Sequence, residues 1–125
     1  MKVLVLGHGR WLWNYNHLPR CCCCSKEHWD KIKEYVICID NDIRVEPDIL
    51  MDITKPWVQI ESESIDEIIF AGGLLCDFLK QNTYDEILRV LKNDGIYYGK
   101  HRDKRPKHLY NGTYKKINNK LVCID

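Results

Sequence analysis

At 125 residues, 45% hydrophobic and with a formal charge of +1, the chain has the size and apolar content of one globular domain spanning 1–125. The near-neutral charge supplies no global field for nucleic acid or an anionic membrane. No apolar run approaches the roughly 18 residues of a membrane span, and the run after Lys2 is too short for a signal peptide. Seven cysteines, four of them contiguous at Cys21 to Cys24, make a poor disulfide framework. They point to a reducing compartment, so a cytoplasmic protein is expected.

Lys2–Leu6 reads as a buried strand, because its apolar residues are continuous rather than alternating. It breaks into Gly7-His8-Gly9, and the stretch to Ser25 is irregular. Lys26–Glu34 has helical composition, with Ser25 as N-cap and Trp29 and Ile32 at helical spacing. Tyr35–Ile39 is a second buried strand, closed by Asp40. Asp48–Asp52 is a short third strand bounded by Pro47, and Thr54–Glu63 is a loop.

Ile65–Phe70 is a fourth strand, ending at Ala71-Gly72-Gly73. Asp77–Leu91 is the clearest helix: Phe78, Tyr84, Ile87, Leu88 and Leu91 recur near 3.6 spacing. Asn93-Asp94-Gly95 ends it, with Gly95 suited to the left-handed C-terminal position. Ile96–Gly99 is a fifth strand, followed by the basic segment Lys100–His108. Thr113–Ile117 and Lys120–Ile124 flank Asn118-Asn119 as a two-residue hairpin. This alternation predicts an α/β fold: a Rossmann-like doubly wound, mostly parallel sheet with a C-terminal antiparallel hairpin.

In such sheets ligands bind at the carboxyl ends of the strands. Gly7 and Gly9 let backbone approach a ligand closely, or simply make a tight turn. Asp40 ends a buried strand, where it can accept from ribose hydroxyls. The plainer alternatives are a helix cap or a salt bridge with Arg44, and Asp42 could take its place. Asp52 has the same two readings. Ala71-Gly72-Gly73 leave room for a ligand after strand four.

Cys38 and Cys76 stand in apolar surroundings and are expected to pack as small hydrophobes. Cys21 and Cys24, flanked by His17 and His28, have a metal-like spacing, but a second such pair is absent and no metal is assigned. Trp11, Trp13, Tyr15 and His17 either stack on a base or anchor the long loop. The Lys100–His108 segment either touches RNA phosphates or is a solvated loop. No side chain stands out as a general base; His8 lies near the expected site as a polar loop residue.

Taken in order, these segments resemble the class I S-adenosylmethionine-dependent methyltransferase family. Val3-Leu4-Val5-Leu6-Gly7-His8-Gly9 is similar to its first motif, which holds the methionine part of the cofactor. Val36-Ile37-Cys38-Ile39-Asp40 is similar to the second, whose acid binds the ribose. Pro47–Ile53 is similar to the third, which contacts adenine. Ile65–Phe70 resembles the fourth strand, Glu86–Gly95 the helix and turn into strand five, and the final hairpin the reversed seventh strand.

The resemblance implies S-adenosylmethionine as cofactor, held by Gly7, His8, Gly9, Asp40, Asn41, Asp52, Ile53, Ala71 and Gly72. It implies methyl transfer to an unidentified acceptor, with RNA and protein among the candidate partners. The family's first motif carries an acid where Val5 stands and a glycine where Trp11 stands. A second reading is therefore a catalytically inactive domain acting as a binding or regulatory subunit. A dinucleotide-dependent oxidoreductase is the weakest reading, because Leu12 stands where the full glycine fingerprint needs glycine.

Overall fold

A computed structural model describes residues 1–7, 26–70, 81–99 and 113–124. In chain order they form β1 (Val3–Leu6), α1 (Lys26–Ile32), β2 (Val36–Asp40), β3 (Ile49–Leu50), β4 (Ile65–Phe70), α2 (Gln81–Val90), β5 (Leu91–Tyr98), β6 (Thr113–Ile117) and β7 (Lys120–Cys123). The strands make one mixed sheet in the order β3-β2-β1-β4-β5-β6-β7. The first five lie parallel, and the β6–β7 hairpin adds the antiparallel end.

All four residues of β1 are buried, which is why its sequence is apolar without alternation. Its side chains divide between two cores. Val3 and Val5 join Val36, Cys38 and Ile69 beneath Trp29 and Ile32 of α1. Leu4 and Leu6 join Ile39, Ile68, Phe70 and Tyr97 on the opposite face, under Ile87 and Val90 of α2. The segment between β3 and β4 completes this second core with Trp57 and Ile60. One described helix therefore covers each face of the sheet.

Several expected elements shift. The helix expected over Lys26–Glu34 stops at Ile32, and Lys33–Tyr35 form a 3-10 turn with no buried residue. Without apolar anchors, that last stretch tightens to feed β2. The third strand shortens to Ile49–Leu50, an edge pair in which Leu50 is half exposed. Cys38 is fully buried in the α1-side core, as its surroundings predicted. The start of the expected Asp77–Leu91 helix, with Phe78, and Cys76 lie outside the described residues.

Gly95 needs correction. The helix ends at Val90, and Asp94 takes the left-handed conformation at φ 65°. Glycine is required at 95 by close approach instead: a Cβ there would lie 2.8 Å from the Lys92 carbonyl oxygen and 3.1 Å from that of Asp66. The pairing of β4 with β5 jumps from Ile65–Leu91 to Glu67–Ile96, so Lys92–Gly95 bulge out of the ladder. The hairpin turn follows the sequence closely. Asn118 and Asn119 both adopt positive φ, 52° and 58°, as a two-residue turn of the primed type requires.

Candidate functional site

The five parallel strands end along one edge of the sheet. The chain winds from β1 outward through β2 to β3, then returns to place β4 on the other flank of β1. The carboxyl ends of β1 and β4 thus form the switch point, where open α/β sheets bind ligands. Gly7 sits there, directly after β1. Its φ is 88°, a conformation that side chains resist, and its N–H donates to the Ile39 carbonyl at 2.8 Å. That bond fastens the glycine turn beside Asp40.

Asp40 is half-buried and held from two directions. Its carbonyl accepts the Met51 N–H at 2.9 Å, and its Oδ1 accepts the Asp42 N–H at 2.9 Å. Its Oδ2 receives no hydrogen bond among the described residues. The expected competitors resolve differently. Arg44 binds Asp42, through Nε at 3.0 Å and Nη2 at 2.9 Å, and leaves Asp40 alone. The Arg44 side chain and backbone N–H hold the Asp42 carboxyl below its usual range. Asp42 thereby caps the 3-10 turn Ile43–Val45. Asn41 is exposed beside Asp40.

Asp52 lies beyond β3. Its Oδ1 accepts from Thr54, at 2.9 Å from the backbone N–H and 2.7 Å from the hydroxyl. Ile53 is buried in the α2-side core. Its carbonyl accepts from Trp57 Nε1 at 2.9 Å and from the Thr83 hydroxyl at 3.0 Å, so it anchors the turn. His8, Gly9, Ala71 and Gly72 lie outside the described residues, as do Trp11, Cys21 to Cys24 and Lys100–His108. The structure therefore brings Gly7 and Asp40 together on adjacent strand ends, with Asn41 next to them.

Sequence reasoning missed a polar cluster on the α1 face. Glu67 is buried in β4, and its Oε1 lies 2.7 Å from His28 Nε2 on α1. The same nitrogen lies 3.2 Å from the Tyr98 hydroxyl on β5. A β-bulge puts Glu67 there: the N–H groups of Asp66 and Glu67 both point to the Lys2 carbonyl, at 2.9 and 3.4 Å. The available signal was an acidic pair, Asp66-Glu67, inside an otherwise apolar strand.

A cavity of about 210 Å³, lined by Lys2, Leu4, Ile37, Ile49 and Glu61 among others, opens at the opposite, amino edge. Neither Gly7 nor Asp40 lines it. No protein-family model, curated protein or solved structure matches this chain. No helix among the described residues is long and apolar enough to cross a membrane.

Proposed function

We propose that the chain binds S-adenosylmethionine across the carboxyl edge of a Rossmann-like doubly wound sheet and transfers its methyl group to an acceptor. The observation that carries this reading is the Gly7–Ile39 hydrogen bond at the β1 end. It sets a positive-φ glycine beside a strand-end carboxylate, one oxygen of which accepts no hydrogen bond among the described residues. A ribose diol needs such an acceptor, and a close-lying ligand needs a residue without a side chain. The strand order β3-β2-β1-β4-β5 and a helix on each face support the same reading.

The fit is uneven along the cofactor. Gly7 suits its methionine part, and Asp40 with the neighbouring Asn41 suits its sugar end. Asp52 is engaged by Thr54, and the Ile53 side chain faces the core, so those two would meet adenine only through polar atoms of the turn. Bound cofactor would supply an electrophilic methyl group. The protein would contribute chiefly position, which alone can lower a barrier by about 7–11 kcal/mol.

A second reading, an inactive binding or regulatory domain, is favoured by one specific feature. Val5 is fully buried under α1, where the resembled family carries a cofactor-binding acid. Incubation with methyl-labelled S-adenosylmethionine and separate pools of RNA, protein and small molecules tests the two. Label in one pool supports transfer. Absence of transfer, with or without retained cofactor, supports the second reading and rejects the first.

A further inference from the structure

We infer that His28, Glu67 and Tyr98 form a binding site for a divalent transition-metal ion, with zinc the best match to their donor atoms. Three elements, α1, β4 and β5, each contribute one donor to the same point. The donors are an imidazole nitrogen, a carboxylate and a phenol oxygen. Nitrogen and oxygen sets of this kind suit zinc and its neighbours in the first transition row. No three His, Cys, Asp or Glu side chains converge on a metal-binding geometry among the described residues. The phenol of Tyr98 is what completes this set.

Glu67 supplies the second observation. Its residue is only 6% exposed, and its Oε2 is buried with no hydrogen-bond partner among the described residues. Burying a carboxylate oxygen without a partner is costly, and an ion is one of the few things that offsets it. The core beside it is apolar: Val3, Val5, Trp29, Ile32 and Ile69 pack together there with Tyr98 against them. An apolar shell raises the strength of every bond to an ion inside it.

The spacing fits. Zinc bonds to nitrogen and oxygen measure about 2.0–2.2 Å, so tetrahedral donors stand roughly 3.3–3.5 Å apart. His28 Nε2 and the Tyr98 hydroxyl are 3.2 Å apart. His28 Nε2 and Glu67 Oε1 are closer, at 2.7 Å, a hydrogen-bond length. The terminal torsion of a glutamate is soft, so the carboxylate can turn and present Oε2 to the ion. On binding, the ion takes the lone pair of Nε2. Any proton there passes to solvent, which the part-exposed imidazole reaches; the neutral Tyr98 phenol gives an oxygen lone pair, and the carboxylate exchanges a hydrogen bond for a metal bond.

Such an ion would brace the first turns of α1 against the centre of the sheet. The chain enters α1 after leaving β1 at the carboxyl edge, so the brace lies directly upstream of the helix's packing face. This inference does not depend on the proposed methyl transfer.

The test is a Co²⁺ titration of the reduced full-length chain, followed by visible absorption and by displacement with Zn²⁺. The expected result is one ion per chain, with ligand-field bands of nitrogen and oxygen ligation and no thiolate charge-transfer band. Glu67→Gln and His28→Ala should each weaken binding roughly tenfold or more, and Tyr98→Phe should shift the bands. A chain in which Cys21 to Cys24 are all serine should bind as the parent does. Circular dichroism checks that each variant is folded. No saturable binding overturns the inference. So does binding that survives Glu67→Gln but is lost with the four cysteines.

Discussion

Lys116 donates from Nζ to the carbonyl oxygen of Leu91 at 2.7 Å, so the C-terminal hairpin caps the end of helix α2. The same ammonium reaches the Leu88 carbonyl at 2.5 Å. A helix leaves its last carbonyls without intrahelical donors, and a cation there also meets the negative end of the helix dipole. Lys116 is 4% exposed, an uncommon burial for lysine that these two acceptors explain. The hairpin is thus tied to the α2-side core by a polar bond as well as by Tyr114 and Leu121.

Lys116→Met keeps the apolar stem and removes the donors. It should destabilise the fold by about 1–3 kcal/mol, the cost of leaving such groups unsatisfied. Urea denaturation with an unchanged slope is the measurement. A loss below about 0.5 kcal/mol would mean that water caps the helix equally well.

Trp57 is fully buried and pins the Ile53 carbonyl with its indole N–H. Trp57→Ala should cost about 3–5 kcal/mol, as truncations of large buried aromatics do. Trp57→Phe should cost less, because much of the apolar volume stays and only the indole bond is lost. Comparable losses for the two variants would show that the hydrogen bond, and not packing, dominates.

Glu86 links α2 to the Trp57 segment. Its carboxylate accepts from Arg89 Nη2 at 2.9 Å and from the Trp57 N–H at 2.7 Å. The Arg89 bonds, and then the Trp57 N–H, outweigh burial and hold its pKa below the usual 4.5. A carboxyl depressed on folding contributes stability that is present above its unfolded value and lost as pH falls through the folded one. Glu86→Gln should therefore be less stable than the parent at neutral pH. The gap should close as pH drops below 4.5. A gap that stays constant down to acid pH would show that the pair is not proton-linked.

Much of the sheet was legible because its apolar runs are continuous and their breaks are glycine, aspartate and proline. Ile65–Phe70 and the Asn118-Asn119 turn follow directly from such local signals. What stayed hidden depends on non-local pairing. The bulge at Asp66 exists only because two N–H groups share the Lys2 carbonyl, and it alone turns Glu67 toward α1. The two-residue length of β3 follows from an edge position, where Asp48 rather than a strand satisfies the Cys38 N–H at 2.8 Å. At the candidate site, the placement of Gly7 beside Asp40 was readable from the order of segments. That Arg44 binds Asp42 was not, because both acids stand within reach of it in sequence.

This contrast separates two neighbouring acids. If Asp40 holds a ribose diol, Asp40→Ala should weaken S-adenosylmethionine binding by about 1–3 kcal/mol, the loss of a charged hydrogen-bond acceptor. Asp42→Asn should leave binding unchanged, since Asp42 serves Arg44. Equal losses for both would point to collapse of the loop after β2. No loss for Asp40→Ala would remove it from the site.

The most direct measurement is a calorimetric titration of the reduced, metal-free chain with S-adenosylmethionine and, separately, S-adenosylhomocysteine. Saturable one-to-one binding of both, lost in Asp40→Ala, is the expected result. No heat and no thermal stabilisation at millimolar ligand would contradict a cofactor site at the β1–β4 edge.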